Sequence, residues 1–266
     1  MLFDGKRFAV EIEEQIRQRV SEMETKPKIV SVLVGSDPAS ELYTRLKSEA
    51  AKRVGVEFEV VRLDTGIGKE ELEKRVREIG EYTEVTGLMV QLPIPGLKEN
   101  EVREVLAAIP LTKDVDGLRS EESGIMPATV RAIISIMESV ADDRLWQREI
   151  VVVGGTGAVG KPLIFWLNKK HEVTAVAVNS QTKDLAGDLA QADTVISCVG
   201  KPGLITGEMV RSGIVAIDVG APQGDMTKEV YAKARVAVPV PNGVGPVTIA
   251  CLMENLGDIY VRKSKI

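Results

Sequence analysis

The sequence predicts an α/β protein built from two α/β domains. Short apolar runs rich in β-branched residues alternate with amphipathic segments of helical spacing along the whole chain. Several runs are apolar at every position, which is typical of strands buried on both faces of a parallel sheet. The alternation pauses at a polar stretch near residues 118–130 and then restarts, so we expect the two domains to meet there.

The first half of the chain predicts an opening helix followed by three strand–helix pairs. Ser36 or Asp37 can cap the second helix, Pro38 suits its first turn, and Gly55 ends it. The turn at residues 93–96, which holds two prolines, breaks the third strand, and residues 113–117 form a polar turn. The expected helices are residues 8–23, 38–54, 69–79 and 99–108, and the expected strands are residues 29–34, 56–63 and 87–92.

The second half repeats the pattern after an amphipathic helix at residues 129–140 and a polar connection at residues 142–144. Its first strand runs into a glycine-rich turn, and its last extended segment runs into a long final helix. The expected strands are residues 149–153, 172–178, 194–198 and 214–218, with residues 237–241 extended. The expected helices are residues 161–168, 225–234 and 247–262.

Composition excludes several classes of function. The net charge of −5 over 266 residues gives no nucleic-acid footprint, and no run reaches the length of a membrane helix. Cys198 and Cys251 match no metal-ligand spacing, which favours reduced thiols in a cytoplasmic protein. The single histidine, His171, is flanked by charges, so a solvated loop position is expected, and a catalytic triad or a multi-histidine zinc site is disfavoured.

A glycine-rich turn opens the second domain. Gly155, Gly157 and Gly160 have the G-x-G-x-x-G spacing, directly after a strand and before a helix. Such a turn lets the backbone approach phosphates, and the helix N-terminus adds free N–H groups. A nicotinamide dinucleotide is the favoured ligand, although ordinary tight turns also collect glycines. The candidate cofactor-binding residues of this turn are Gly154, Gly155, Thr156, Gly157, Val159 and Gly160.

The end of the second strand of this domain bears on which dinucleotide binds. NAD sites commonly place a carboxylate there, and this chain has none in Asn179-Ser180-Gln181-Thr182. No arginine occurs there either, but Ser180 and Thr182 can donate hydrogen bonds to a 2′-phosphate. These residues favour NADP, with NAD as the alternative.

Four polar residues of the first domain are candidates for catalysis. Tyr43 and Lys47 lie four residues apart on one helix face, where the phenol would hold the lysine and lower its pKa. A solvated lysine beside a half-buried tyrosine has the same spacing. Gln91 ends an apolar strand, and Asp116 lies in a turn in which Asp114 is the alternative turn former.

Taken together, these segments resemble the bifunctional methylenetetrahydrofolate dehydrogenase/cyclohydrolase family. The resemblance runs from Asp4-Gly5-Lys6 to the last helix. Its motifs, in order, are Val34-Gly35-Ser36-Asp37-Pro38-Ala39-Ser40 with Tyr43 and Lys47, Val90-Gln91-Leu92-Pro93-Ile94-Pro95, Lys113-Asp114-Val115-Asp116-Gly117, Lys201-Pro202-Gly203, Asp218-Val219-Gly220, and residues 239–248.

The resemblance implies an architecture and a chemistry. Residues 1–118, with a C-terminal helix at 247–266 that returns to them, would form a folate-binding domain, and residues 119–246 would form a Rossmann-like cofactor domain facing it across a cleft. Members usually form homodimers through the cofactor domains. The activities implied are oxidation of 5,10-methylenetetrahydrofolate by hydride transfer to NADP and hydrolysis of the methenyl product to 10-formyltetrahydrofolate.

The resemblance also implies residue roles. Lys47 would be the acid/base of ring opening, Gln91 would hydrogen-bond and tune it, and Tyr43 would position the folate and support Lys47. Asp116 would anchor the pterin ring. Gly243, Gly245 and Pro246 would form part of the folate wall, and Ala221 would join the cofactor-binding residues.

Several positions depart from the family pattern. Gly154-Gly155-Thr156 replaces the frequent Gly-Arg-Ser, and Asn179-Ser180-Gln181-Thr182 replaces His-Ser-Arg/Lys-Thr, so cations expected near a 2′-phosphate are missing. Pro127-Ala128-Thr129-Val130 replaces Pro-Cys-Thr-Pro. Asn242 replaces a glycine, and Asn tolerates the left-handed backbone better than most residues. A dehydrogenase without cyclohydrolase activity and a catalytically silent dinucleotide sensor are the alternative functions.

Overall fold

A computed structural model describes residues 1–142, 145–147, 149–171, 173 and 175–263. The chain divides into two compact units. One contains Met1–Ala9 and Thr129–Thr248, and the other contains Val10–Ala128 and the chain from Ile249 onward. Each unit holds a parallel sheet with helices, so the predicted α/β class is confirmed, and so is the return of the C-terminal helix to the first sheet.

The first unit along the chain contains a three-stranded sheet in the order β2-β1-β3. The strands are β1 (Lys28–Val34), β2 (Glu57–Leu63) and β3 (Gly87–Val90), and the helices are α1 (Gly5–Ser21), α2 (Pro38–Val54), α3 (Lys69–Glu81), α4 (Glu99–Ala107) and α5 (Ser120–Ser123). Strand β1 is buried along nearly its whole length, as its continuous apolar run predicts. The apolar faces of α3 and α4 pack against this sheet and form one core with it.

The second unit contains a five-stranded sheet in the order β5-β4-β6-β7-β8. The strands are β4 (Ile150–Val153), β5 (Val176–Val178), β6 (Thr194–Ser197), β7 (Val215–Asp218) and β8 (Val236–Val238), and the helices are α6 (Ala128–Ser139), α7 (Gly160–His171), α8 (Leu185–Gln191) and α9 (Lys228–Lys233). The last helix, α10 (Val244–Lys263), starts in this unit, and from Ile249 onward it belongs to the first one. Its three middle strands β4, β6 and β7 are buried at every position.

The N-terminal residues belong to the second sheet. The Phe3 N–H donates to the Ala237 carbonyl oxygen over 2.8 Å, and the Ala237 N–H donates to the Met1 carbonyl oxygen over 2.9 Å. The chain start therefore extends the edge at β8 by backbone pairing. The prediction groups the first residues with the domain of residues 1–118, whereas their contacts group Met1–Ala9 with the second sheet. Backbone pairing of this kind leaves no pattern in the side chains from which it could be predicted.

Two predicted elements start later in the structure than expected, and one helix was not predicted. The strand expected at residues 172–178 is described only as Val176–Val178, and Glu172 and Thr174 lie outside the described residues, as do Asp143 and Arg144 of the predicted connection. The helix expected from residue 225 begins at Lys228, because the Asp225 side chain and backbone are committed to the preceding loop. Helix α8 was not predicted from the sequence.

Both sheets place their first strand between two others. The chain passes from β1 to β2 on one side and then to β3 on the other, and from β4 to β5 and then to β6 in the same way. Ligands of open α/β sheets bind outside the carboxyl ends of the strands at such a switch point. The fold therefore marks one candidate crevice beside β1 and β3 and another beside β4 and β6.

Candidate functional sites

Helix α2 carries Lys47 and starts just after the central strand β1. The Asp37 carboxylate accepts a hydrogen bond from the Ser40 N–H over 2.8 Å and from its hydroxyl over 2.9 Å, so Asp37 is the cap. Pro38 is the first helical residue, and Gly55 ends the helix with a left-handed φ of 84°. The predicted bounds and caps of this helix are confirmed.

Lys47 is buried, and its amine meets the end of β3. The Lys47 Nζ donates to the Gln91 Oε1 over 3.0 Å and lies 3.9 Å from the Met89 Sδ. Lys47 is 9% exposed and Gln91 is 7% exposed. The Gln91 Nε2 donates to the Leu92 carbonyl oxygen over 2.8 Å, which leaves Oε1 of the same amide to face the lysine. The structure therefore excludes a solvated Lys47.

Burial sets the protonation behaviour of Lys47. Desolvation lowers the pKa of the Lys47 amine from its ordinary value, because a charged ammonium is disfavoured away from water, and the negative charge of Asp116 opposes that shift. Tyr43 is 38% exposed, and no hydrogen bond joins it to Lys47 among the described residues. The lowered pKa thus arises from burial rather than from the phenol that the sequence suggested.

The Asp114–Asp116 turn separates two roles. Asp114 is 1% exposed, and its carboxylate accepts from the Arg119 N–H over 2.9 Å and the Leu118 N–H over 3.3 Å. Burial raises the pKa of the Asp114 carboxyl group. Asp116 is only partly buried, and its charge reaches Lys47. Asp114 is therefore the turn former, and Asp116 is the carboxylate left for chemistry.

Asn255 on α10 holds this turn from below, and the sequence analysis missed it. Its Nδ2 donates to the Val115 carbonyl oxygen over 3.0 Å and to the Met126 carbonyl oxygen over 2.9 Å. Asn255 is completely buried. The Ala128 N–H also donates to the Asp116 carbonyl oxygen over 3.1 Å. Ala128, which stands where the family has cysteine, therefore contacts the turn through its backbone. The available sign of this contact was a polar residue at helical spacing from the apolar Leu252 and Ile259, on the buried face of the helix.

The glycine turn between β4 and α7 has the packing that a dinucleotide turn requires. Gly154 has a φ of 82°, and a Cβ at Gly160 would lie 2.2 Å from the Gly154 carbonyl oxygen. A Cβ at Gly155 would lie 2.7 Å from the Ala177 Cβ. A side chain at position 160 would collide with the Gly154 backbone, so glycine there lets the turn pack closely on the start of α7, whereas a side chain at position 155 would require Ala177 to move.

Free amides line the same turn. The N–H groups of Gly154 and Gly155 donate to the Val178 carbonyl oxygen over 2.9 Å and 3.2 Å. By contrast, the amides of Thr156, Ala158 and Val159 donate to no carbonyl in the part of the chain that the structure describes. Unpaired amides at the start of a helix suit a phosphate group, so the turn fits the diphosphate of a dinucleotide.

The loop after β5 holds the residues predicted for the 2′-phosphate. The Thr182 Oγ1 accepts from the Asn179 N–H over 3.0 Å, and the Asn179 Oδ1 accepts from the Gln181 N–H over 2.8 Å. This turn fixes the Thr182 oxygen and leaves its hydroxyl proton free to donate. Ser180 is exposed on the same turn, and Ala221 is exposed on the loop after β7.

The turn before α10 accommodates its asparagine. Asn242 has a φ of 73°, so the prediction that it takes the left-handed conformation is confirmed. A Cβ at Gly243 would lie 2.3 Å from the Pro239 carbonyl oxygen, which requires glycine there. Gly245 is exposed and has open space around it, and Pro246 is partly buried.

His171 is not the solvated loop residue that the sequence predicted. It ends α7, its ring stacks on Trp146 with the ring centroids 3.6 Å apart, and its Nε2 lies 3.3 Å from the Glu138 carboxylate. Cys198 and Cys251 are free thiols, and burial raises the pKa of Cys198 to about 12. Among the described residues, no acidic, histidine or cysteine cluster can hold a metal, and no helix is both long and apolar enough to cross a membrane.

Comparisons with known proteins agree on one family. Residues 3–116 match the family described as tetrahydrofolate dehydrogenase/cyclohydrolase, catalytic domain, and residues 127–264 match its NAD(P)-binding domain. The chain is 37% identical over 273 residues to the bifunctional protein FolD of Moorella thermoacetica, covering 96% of each.

Solved structures give the same result. The bifunctional FolD enzyme of Campylobacter jejuni has a TM-score of 0.90 and 28% identity, covering 99% of both chains. The Trypanosoma brucei FolD, complexed with NADP cofactor and inhibitor, has a TM-score of 0.91 and 28% identity, covering 100% of this chain and 99% of that one.

Proposed function

Since the chain belongs to the tetrahydrofolate dehydrogenase/cyclohydrolase family, we propose that Lys47, Gln91 and Asp116 form the site of its folate chemistry. The chain is a bifunctional enzyme. It oxidises 5,10-methylenetetrahydrofolate to 5,10-methenyltetrahydrofolate with hydride transfer to NADP, and it hydrolyses the methenyl form to 10-formyltetrahydrofolate. The observation that carries the site assignment is the buried lysine held by Gln91.

Lys47 performs the proton transfers of the hydrolysis. Burial lowers the pKa of its amine, so the uncharged form is more readily available than in a solvated lysine and can accept a proton from the water that attacks the methenyl carbon. The ammonium then returns this proton to N5 as the bond between the carbon and N5 breaks, and the hydroxyl proton of the intermediate leaves to water as the formyl C=O bond forms. Gln91 accepts a hydrogen bond from the amine, which keeps Lys47 extended toward the end of β3.

The dehydrogenase step needs placement more than a protein base. When bound, NADP would supply the hydride acceptor, and the folate nitrogen next to the carbon would stabilise the cation left behind. Tyr43 and Asp116 hold the folate ring in position. A residue that only positions the reactants still accelerates the reaction, because it removes the entropy cost of orienting them.

The second unit supplies the dinucleotide site. Gly154, Gly155, Gly157 and Gly160 shape the turn, and the free amides of Thr156 and Val159 bind the diphosphate. The hydroxyl groups of Ser180 and Thr182 bind the 2′-phosphate, and Ala221 lies beside the cofactor. By function, we divide the chain into a cofactor domain of residues 119–246 and a folate domain of residues 1–118 and 247–266, while Met1–Ala9 are grouped with the cofactor unit by their contacts.

We also propose a homodimer that forms through the cofactor domain. Strand β5 is an edge strand, Val176 on it is 38% exposed, and Phe165 on the adjoining helix is 40% exposed. Apolar side chains exposed at a sheet edge favour pairing with a second copy.

The free thiols of Cys198 and Cys251 support a reducing, cytoplasmic setting.

One spectrophotometric experiment tests the function and the cofactor preference. Methylenetetrahydrofolate is incubated with NADP and, in parallel, with NAD, and the dissociation constant of each dinucleotide is measured at low and high salt. We expect turnover with NADP and a tighter NADP complex whose advantage shrinks as salt rises. Equal affinities at low salt would refute the 2′-phosphate site at Ser180 and Thr182, and no turnover with either dinucleotide would contradict the enzyme assignment.

A further inference from the structure

Two completely buried carboxylates lie beside the sheet of the cofactor unit, and the mechanism above uses neither of them. Asp218 is the last residue of β7, and Asp225 lies in the loop that follows. Buried carboxylates are costly unless hydrogen bonds replace the lost water. Their partners therefore indicate what the structure gains by keeping them.

The Asp225 carboxylate accepts hydrogen bonds from the turn at residues 199–201. Its carboxylate accepts from three consecutive backbone amides, those of Val199 over 2.9 Å, Gly200 over 3.2 Å and Lys201 over 2.7 Å. It also accepts from the Ser197 hydroxyl over 2.7 Å. Successive amides that converge on one anion form a nest, and here the anion is a side chain of the protein itself.

Asp218 in turn fixes the position of Asp225. Its carboxylate accepts from the backbone amides of Asp225 over 3.0 Å and Met226 over 2.8 Å, and from the Tyr231 hydroxyl over 2.7 Å. A Cβ at Gly224 would lie 2.6 Å from the Asp218 carboxylate, and a Cβ at Gly220 would lie 2.6 Å from the Asp225 carboxylate. The two carboxylates thus connect β7 rigidly to the 199–201 turn.

The 199–201 turn stands at the switch point of the sheet. It follows β6, which pairs with β4, and a Cβ at Gly154 of the glycine turn would lie only 2.9 Å from the Cys198 carbonyl oxygen. Gly200 has a φ of 74° and open space around it. The glycine turn and the 199–201 turn are therefore the two walls at the carboxyl ends of β4 and β6.

We propose that Asp225 is a positioning residue for the nicotinamide dinucleotide. It holds the 199–201 turn as the second wall of the crevice and occupies all three amides of that turn. The diphosphate is thereby left with the free amides of the glycine turn as its anchor, while the 199–201 turn confines the rest of the dinucleotide. The inference rests on the proposed dinucleotide site of this unit.

The test replaces Asp225 with Asn, which keeps the size of the side chain but presents an N–H₂ group to N–H donors. We expect the NADP dissociation constant, measured by equilibrium fluorescence, to rise about tenfold or more, since hydrogen bonds to a charged group are among the strongest in proteins. The KM for NADP should rise far more than the KM for the folate. The Glu208→Gln variant, which removes one exposed carboxylate from the same unit, is the matched control.

The Ser197→Ala variant guards against a folding defect in Asp225→Asn. It removes one of the four donors to Asp225 and keeps the three turn amides paired, so Asp225 is held less firmly, and we expect NADP binding to weaken about threefold. The cyclohydrolase rate, which requires no dinucleotide, reports the integrity of the folate unit in each variant. If the wild type fails to bind NADP, the proposed dinucleotide site is wrong. If the wild type binds and both variants bind NADP as tightly, the role of Asp225 is overturned.

Discussion

Replacing Lys47 with Met separates the two activities. Methionine matches the unbranched length of the lysine side chain and removes only the amine, and the Met89 Sδ already lies 3.9 Å from that amine, so a thioether suits the surroundings. Without the amine, the site loses the group to which we assign the proton transfer from the attacking water. We expect the cyclohydrolase kcat to fall by about 10²–10⁴-fold, the contribution of a positioned acid/base.

The same substitution has a calculable effect on stability. Removing the amine leaves the Gln91 Oε1 without its donor, which costs about 1–3 kcal/mol. Removing a desolvated ammonium acts in the opposite direction. Because folding lowers the pKa of Lys47 from 10.5, the unfolded chain binds the proton more tightly, and the wild type gains stability as pH rises toward that value. The Met variant lacks this gain, so its relative stability should be greatest at neutral pH and should decline toward pH 10.

The assay follows methenyltetrahydrofolate hydrolysis and NADP reduction in the same preparations, with thermal unfolding at pH 7 and at pH 10. The Lys52→Met variant is the control, since Lys52 is an exposed lysine on the same helix. We expect hydride transfer to remain measurable in Lys47→Met and both activities to be intact in the control. Full cyclohydrolase activity in Lys47→Met would refute the acid/base role. Loss of hydride transfer in parallel, with a folded protein, would refute the separation of the two chemistries.

Two further predictions concern the neighbours of Lys47. The Gln91→Glu variant places a carboxylate where the amide oxygen now lies 3.0 Å from the amine, which raises the pKa of Lys47, so the pH–rate profile of the cyclohydrolase should move to higher pH. An unmoved profile would show that Lys47 is not the titrating base. The Asn255→Leu variant leaves the Val115 and Met126 carbonyl oxygens unpaired, so unfolding should become easier by about 2–5 kcal/mol, with weaker folate binding, as measured by denaturation and by titration with the folate. Unchanged folate affinity in that variant would show that the position of Asp116 does not depend on the hydrogen bonds of Asn255.

The sequence predicted local features well because local physics determines them. Asp37, Pro38 and Gly55 delimit α2 through interactions within a few residues, and the glycine spacing at Gly155 and Gly160 is a local packing requirement. The burial of Lys47 was beyond such reasoning. The spacing of Lys47 from Tyr43 is the same in a solvated helix. The amide oxygen that meets the amine belongs to Gln91, 44 residues further along the chain, and only the pairing of β3 with β1 brings it there.

Long-range pairing also explains what the sequence analysis missed. Asp225 has the polarity expected of a helix start, yet its carboxylate serves a turn 24 residues earlier in the chain. Asn255 clamps a carbonyl 140 residues away. The sequence shows at most that a polar side chain shares a helix face with apolar ones, and it does not show which distant carbonyl oxygen that side chain binds.

The two sheets solve the same problem with opposite charges. At the switch point beside β1 and β3, the fold buries the amine of Lys47. Desolvation lowers the pKa of this amine, so the ammonium gives up its proton more readily and the neutral amine can act as a base. At the switch point beside β4 and β6, the fold buries the anion Asp225 and satisfies it fully with backbone amides. Lys47 has one side-chain oxygen partner in the described structure, whereas Asp225 has four donors. Lys47, with a single oxygen partner, is free to exchange a proton with the substrate. Asp225, with four donors, holds the 199–201 turn in place. The number of hydrogen-bond partners thus separates the buried group that takes part in chemistry from the one that positions the site.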